Sequence, residues 1–154
     1  MTRTWLIVLG AGGSAALLLG AWGFQHIAGL APCKMCIWQR WPHGAAMLIG
    51  PLALIFAGSL LPLMGAASAL ITAAIGVYHT GVERAWWEGP ASCTSGSIEG
   101  LTPQELLAQI TAAPVVQCDQ VAWQMLGLSM ASWNAVLSLT FAVFWSLAAI
   151  KSRP

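Results

Sequence analysis

The sequence predicts an all-α membrane protein: a four-transmembrane-helix bundle with a short outer loop and a longer outer loop carrying a short amphipathic surface helix. Of the 154 residues, 58% are hydrophobic and only 7% are charged, whereas a soluble domain has about 25% charged residues. The mean hydropathy is +0.74, and the few charges are spaced so unevenly that long uncharged stretches remain. Lipid is therefore the solvent for most of the surface. The net charge of +1 gives no indication of a nucleic acid partner.

The uncharged stretches predict the number of spans. Residues 4–33, 41–82 and 120–150 contain no Asp, Glu, Lys or Arg. A membrane-spanning helix needs about 20 predominantly apolar residues, so the first and third stretches hold one span each. The middle stretch holds two spans, joined by a turn at residues 58–62, where glycine, serine and proline occur. We therefore predict a single domain over residues 1–154 with helices at about 4–24, 40–59, 64–84 and 131–150.

Basic residues near the two ends predict the orientation. Arg3 precedes the first span, and Lys151 and Arg153 follow the fourth. Positive charge favours the cytoplasmic side, so we expect both ends in the cytoplasm and the loops at about 25–39 and 85–130 outside. The first apolar run is about 20 residues long, which exceeds the 7–15 of a cleaved signal segment and favours a retained span.

Small residues at four-residue spacing predict close helix packing on two spans. They are Gly12, Ala16 and Gly20 in the first span and Gly65, Ala69 and Ala73 in the third. This spacing lets a neighbouring helix approach closely. We therefore expect both faces to be buried between helices.

The longer outer loop contains a helix start at Thr102. This threonine can cap the helix, Pro103 suits its first turn, and Glu105 follows three residues after the cap. Three apolar residues then share one face: Leu106, Leu107 and Ile110. We predict a short helix that lies on the membrane surface and is ended by Pro114.

The chain has nine tryptophans against one tyrosine. Most of them fall near the predicted outer boundary, where tryptophan commonly forms an interfacial belt. Contact of one or two of these rings with a flat aromatic ligand is the alternative.

All four cysteines fall in the predicted outer segments. Cys33 and Cys36 form a Cys-x-x-Cys pair, which closes too small a loop to add much stability and is more often a redox centre. Lys34 lies between them, and the second helix is expected directly after Cys36. A positive charge and a helix N-terminus both favour a thiolate, the attacking species in disulfide exchange.

Cys93 and Cys118 leave several interpretations open. They could form a structural clip across an exposed, glycine-rich loop, or a second redox-active pair. A zinc site formed by all four cysteines is a further possibility, although zinc ribbons generally supply two Cys-x-x-Cys pairs. We predict no metal.

Two ionisable residues lie at the outer ends of predicted spans. Arg40 follows Cys36 by one turn and could bind a lipid headgroup or donate to a polar ligand oxygen. His79 precedes Glu83 by four residues. This pair could relay protons or simply be paired at the interface.

Taken together, these residues resemble the DsbB family of bacterial disulfide-bond oxidoreductases. The resemblance is carried in order by FQH at 24–26, PCKMCIWQR at 32–40, YHT at 78–80, Cys93, CD at 118–119 and WQMLGL at 123–128. A Cys-x-x-Cys with an arginine four residues later, at a helix start in this topology, is much more specific than the cysteine motif alone.

The resemblance implies a multi-pass thiol oxidase of the bacterial inner membrane, with cytoplasmic ends and periplasmic cysteine loops. Cys93 and Cys118 would oxidise a soluble periplasmic thioredoxin-fold protein similar to DsbA, a strong oxidant that needs a still more oxidising acceptor. Cys118 would then exchange with Cys33. Cys36 would pass two electrons to ubiquinone or menaquinone in the lipid bilayer.

In the same resemblance, Arg40 would hold a quinone carbonyl oxygen, with His79 as a further cofactor-binding candidate. Two other functions remain. One is a vitamin K epoxide reductase-type quinone reductase, in which the Cys-x-x-Cys typically lies in the last part of the bundle. The other is a membrane scaffold without enzymatic activity, whose disulfides only staple its loops.

Overall fold

The computed structural model describes residues 1–93, 102–112 and 116–152. Its elements in chain order are α1 (Arg3–His26), α2 (Lys34–Ile55), α3 (Leu60–Glu83), α4 (Pro103–Ala112), β1 (Gln124–Met125), β2 (Leu128–Ser129) and α5 (Met130–Ile150). The four long helices form a bundle in which α3 packs against α2 and α5, and α1 packs against the same two helices. β1 and β2 pair antiparallel just before α5.

Among the described residues, three helices are long and apolar enough to cross a membrane: α1, α3 and α5. α2 has 22 residues, which is long enough, but its first half contains Lys34, Gln39, Arg40 and His43. These polar side chains lower its hydropathy. The same half of α2 contributes residues to the candidate active site.

α2 begins earlier than the sequence predicts. The helix was expected to start directly after Cys36, and that position is wrong, whereas a start of the membrane span near residue 40 stays a prediction. Cys33 is the N-cap, and its Sγ accepts a hydrogen bond from the backbone nitrogen of Cys36 at 3.2 Å. Cys36 therefore lies in the first turn. At the other end, Gly58 has φ +116° in the connection to α3, a conformation that favours glycine.

The core lies between α1, α3 and α5, around the fully buried ring of Trp145. Gly65 of α3 lies against that ring, where even a Cβ would overlap it. Ala69 and Ala73 continue the same buried face. The packing predicted for the third span is therefore confirmed.

The packing predicted for the first span is wrong. The three small residues expected to be buried there are exposed instead: Gly12, Ala16 and Gly20. α1 packs through Gly10 and Gly13, which lie against Trp145 and Phe141 of α5, respectively. Each large ring requires a glycine opposite it, and this requirement sets the rotation of α1.

Arg3, near the start of the chain, forms hydrogen bonds both with the C-terminal end of α2 and with Ser152 near the end of the chain. Its Nη2 donates to the carbonyl oxygens of Ala53, at 2.6 Å, and Phe56, at 3.0 Å. Its Nε donates to Ser152 Oγ at 2.7 Å. The carbonyls at a helix C-terminus lack partners within the helix, so a guanidinium satisfies them well. The cysteines lie at the opposite end of α2.

The short helix α4 has the predicted N-terminal cap. Thr102 Oγ1 accepts from the nitrogen of Glu105 at 3.4 Å, and Glu105 Oε2 accepts from the nitrogen of Thr102 at 2.8 Å. Leu107 and Ile110 are exposed. The side chain of Leu106 and all of Pro114 lie outside the described residues. That α4 rests on a membrane surface stays a prediction.

Candidate active site

The Cys-x-x-Cys pair is held by the first turn of α2. The Sγ atoms of Cys33 and Cys36 lie 2.8 Å apart as two thiols in hydrogen-bonding contact. Cys33 is buried, and Cys36 is half-buried. The Sγ of Cys33 caps the helix N-terminus, where the partial positive charge of the helix stabilises a thiolate.

Cys93 and Cys118 form a disulfide with a Cα–Cα distance of 5.4 Å. Their backbones are also joined, because the nitrogen of Cys118 donates to the carbonyl of Cys93 at 2.6 Å. Both residues have 0% exposure, so the expectation that Cys93 lies on an exposed loop is wrong. A disulfide is apolar and packs well among hydrophobic side chains, here Met35, Val82 and Val116.

The two pairs converge at His79 of α3. One ring nitrogen of His79 and the sulfurs of Cys33 and Cys118 all lie within 4.8 Å of one another. Three such atoms could also hold a metal ion, but the Cys118 sulfur is bonded to Cys93 and a disulfide sulfur is a poor ligand. The arrangement suits exchange between a thiolate and a neighbouring disulfide.

The ring of His79 is held on both sides. Its Nε2 lies 3.6 Å from Cys33 Sγ and 3.2 Å from the carbonyl oxygen of Cys118. Its Nδ1 lies 2.9 Å from Nε2 of Gln39 in α2. Nε2 is also 3.9 Å from Glu83 Oε1, and the other carboxylate oxygen accepts a hydrogen bond from the Ser129 hydroxyl. The predicted proximity of His79 and Glu83 is therefore confirmed.

The environment of Cys33 favours its thiolate. The hydrogen bond from Cys36 is the largest effect, and together with a smaller contribution from His79 it outweighs burial and lowers the pKa of Cys33 to about 5. Lys34 was expected to supply the positive charge. Its Nζ instead lies 5.9 Å from the centroid of the Trp38 ring, and His79 is the basic residue that contacts the sulfur.

A cavity of about 230 Å³ opens beside the cysteines, between α1, α2 and α5. Both cysteines of the Cys-x-x-Cys pair line it, as do Arg40 and His79. Arg40 is tied to α1, since its Nη1 donates to Gln25 Oε1 at 2.6 Å and its Nη2 to the carbonyl oxygen of Ala21 at 3.5 Å. The guanidinium is therefore fixed at the cavity wall.

The rest of the cavity wall is mostly apolar and aromatic. Phe24 and Trp123 both line it, and their ring centroids lie 5.1 Å apart. Trp133 lines it too, while Ala16 and Gly20 of α1 supply a stretch of wall with almost no side chain. The small residues of α1 thus leave room for the cavity instead of for a helix.

Several polar residues of the site were not singled out from the sequence. Gln39 and Gln25 hold His79 and Arg40, respectively. Asn134 of α5 pairs with His43, with 2.8 Å between Oδ1 and Nε2, and donates from Nδ2 to Thr72 Oγ1 at 3.1 Å. The sequence offered one signal for these residues: a polar residue within an apolar helix commonly has a functional partner.

Comparison with known proteins agrees with this geometry. Residues 3–148 match the sequence model of the family described as disulfide bond formation protein DsbB. The chain belongs to the DsbB family. It is 35% identical to disulfide bond formation protein B of Pasteurella multocida over 89% of this chain and 79% of that protein. It is 30% identical to the protein of the same name from Stutzerimonas stutzeri, over 92% of this chain and 93% of that protein.

As a DsbB-family protein, the chain is a membrane disulfide oxidoreductase that acts in disulfide bond formation. Membership favours this function over a vitamin K epoxide reductase-type reductase and over a scaffold with purely structural disulfides. The three apolar helices agree with a membrane location.

Proposed function

We propose that this chain oxidises the dithiol of a soluble periplasmic, DsbA-like thioredoxin-fold protein and passes both electrons through its two cysteine pairs to a membrane quinone. The observation that carries the proposal is the approach of the Cys118 and Cys33 sulfurs to within 4.8 Å beside an apolar cavity. The Cys93–Cys118 disulfide receives the electrons from the partner first. A disulfide between Cys33 and Cys36 receives them next.

The cavity residues fit a quinone, which is a flat apolar ring with two polar oxygens. Arg40 supplies a planar donor at the wall, and two of its donors already face Gln25 and Ala21, which fix its position. Aromatic side chains provide surfaces against which a ring can stack. Ubiquinone or menaquinone bound there would supply a two-electron, two-proton acceptor.

Within that site, Cys36 is the thiol placed to deliver electrons, since it lines the cavity and lies one turn from Arg40. Arg40 holds a carbonyl oxygen and stabilises negative charge on it. His79 lines the same cavity, and the family resemblance makes it a second candidate for contact with the quinone.

We propose one four-span domain over residues 1–154 in the inner membrane, with cytoplasmic ends and periplasmic cysteines. α2 serves as the fourth span. Its polar residues Gln39 and His43 are buried within the bundle, and exposed apolar residues follow: Met47, Leu48, Leu52, Leu54 and Ile55. The bond from Arg3 to Ser152 supports both ends being on one side of the membrane.

The test uses the purified protein in detergent with dithiothreitol and a soluble ubiquinone analogue. Dithiol oxidised and quinone reduced should appear in equal amounts. Cys33→Ser and Cys36→Ser should each abolish the reaction, while Ile37→Ser, at an exposed position of the same turn, should retain it. Full activity in both cysteine variants would contradict the proposal.

A further inference from the structure

His79 contacts both residues whose sulfurs must bond during exchange. It is 2% exposed, with Nε2 3.6 Å from Cys33 Sγ and 3.2 Å from the carbonyl oxygen of Cys118. The Cys33 and Cys118 sulfurs lie within 4.8 Å of each other and of a ring nitrogen of His79. The ring therefore forms part of the surface on which the two pairs meet.

Gln39 determines where the imidazole carries its proton. Its Nε2 lies 3.3 Å from the carbonyl oxygen of Met35, which can only accept, so the amide nitrogen is the atom in that position. The same nitrogen lies 2.9 Å from His79 Nδ1 and donates its second hydrogen there. Nδ1 is thus an acceptor, and a neutral ring carries its proton on Nε2.

The contact with Cys118 leads independently to the same tautomer. The carbonyl oxygen of Cys118 can only accept, so the His79 Nε2 that lies 3.2 Å from it must donate. Among the described residues, the titratable groups that face Nε2 are Cys33 from the start of α2 and Glu83 from α3. The single Nε2 hydrogen is therefore shared between the Cys118 carbonyl oxygen and Cys33 Sγ, at 3.2 and 3.6 Å, whereas Glu83 Oε1 lies farther away at 3.9 Å.

The geometry points to His79 as a catalytic residue of exchange between the pairs, which donates from Nε2 to the Cys33 sulfur, with Gln39 as its positioning residue. This inference rests on the proposed function and deepens it. The resemblance to the family suggests His79 as a quinone contact. The contacts of Nε2 with Cys33 and Cys118 assign it to the thiol step instead.

The step is a balanced exchange of one thiolate for another. The Cys118 thiolate attacks Cys33 Sγ, the Cys118–Cys33 bond forms, and the Cys33–Cys36 bond breaks with its electron pair going to Cys36. The Cys93 thiolate then attacks Cys118, which restores the Cys93–Cys118 bond and releases Cys33 as a thiolate. His79 keeps its proton throughout and stabilises the Cys33 thiolate by a charge-assisted hydrogen bond.

The first measurement is the pH profile of Cys33 alkylation by iodoacetamide in the reduced Cys93→Ser, Cys118→Ser protein. His79→Leu should slow alkylation near pH 6 about tenfold, because the thiolate loses a donor. Gln39→Leu should shift the profile in the same direction, and His79→Gln, which retains an amide donor, should shift it less than His79→Leu. Thr80→Val removes a polar group from the adjacent position of α3 and should leave the profile unchanged.

The second measurement compares reductants in the otherwise wild-type protein. With a reduced thioredoxin-fold partner, His79→Leu should lower kcat about tenfold, while the KM for the quinone analogue stays the same with either the partner or dithiothreitol. A quinone KM that rises with both reductants would assign His79 to the quinone and overturn the inference. An unchanged alkylation profile would overturn it too.

Failure of the proposed function gives a different result. In that case the wild-type protein reduces no quinone with either reductant, and the Cys33 alkylation profile still decides the role of His79. A profile that moves equally in His79→Leu and Thr80→Val would mean general distortion of α3 and would contradict a catalytic role.

Discussion

Gln25 of α1 accepts a hydrogen bond from Arg40 of α2, with 2.6 Å between Oε1 and Nη1. This bond fixes the guanidinium at the wall of the cavity that Cys36 also lines. An arginine that only bound lipid headgroups would not need a hydrogen-bond partner on a second helix. The pairing therefore favours a ligand inside the bundle.

Arg40→Lys should weaken quinone binding. Lysine keeps the positive charge but loses the planar set of donors, so the apparent KM for a ubiquinone analogue should rise about tenfold, the size of a lost charge-assisted hydrogen bond. Oxidation of the cysteines by a small disulfide should be unaffected. The matched control is Arg84→Lys, at an exposed arginine that lies 5.4 Å from the Trp86 ring centroid. Equal quinone dependence in both variants would favour headgroup binding.

Gln25→Leu should act in the same direction but more weakly. Arg40 keeps its charge and its planar set of donors, and only the hydrogen bond to Gln25 that orients the guanidinium is lost. We expect the quinone KM to rise roughly two- to tenfold, with unchanged alkylation of Cys33. His26→Leu, at the exposed neighbouring position, should change neither value. A wild-type KM in Gln25→Leu would show that Arg40 needs no orientation from α1.

Gly65→Ala should destabilise the bundle because its Cβ would overlap the Trp145 ring. Overpacking of this kind costs about 1–3 kcal/mol, which should appear as a lower thermal unfolding midpoint in detergent. Gly12→Ala is the matched control, since no atom of another helix lies within 4 Å of a Cβ there. Equal midpoints for the two variants would contradict the packing of α3 against α5.

Cys93 should react slowly even when reduced, because it is fully buried. A protein with serine at the other three cysteines isolates this thiol. A bulky maleimide should label it at least about tenfold more slowly than a cysteine placed at the exposed neighbour, Ser92→Cys in a cysteine-free background, because labelling requires local opening. Equal rates would mean that the partner meets an already accessible thiol.

The sequence predicted the helices to within a few residues, except at the start of α2. Long uncharged stretches locate spans well because a charge within the bilayer is costly. The start of α2 was predicted too late because the cap is Cys33 itself, and cysteine is not among the usual N-cap residues.

Helix rotation could not be predicted in the same way. α1 is apolar on all sides, so nothing in its own sequence distinguishes Gly10 and Gly13, which pack, from Gly12 and Gly20, which do not. The rings of Trp145 and Phe141 decide the matter, and both belong to a distant helix. The pairing of Gln39 with His79 depends in the same way on the rotation of α2 and α3, and it becomes visible only in the structure.

The most direct test of the electron pathway is the double variant Cys93→Ser, Cys118→Ser, assayed with two reductants. The account predicts no oxidation of a reduced thioredoxin-fold partner, because the pair that receives its electrons is gone. The same variant should still reduce quinone with dithiothreitol, which is small enough to reach Cys33 and Cys36 directly. Equal loss of activity with both reductants would contradict the relay and would mean that the buried Cys93–Cys118 disulfide is needed for the fold or for every transfer.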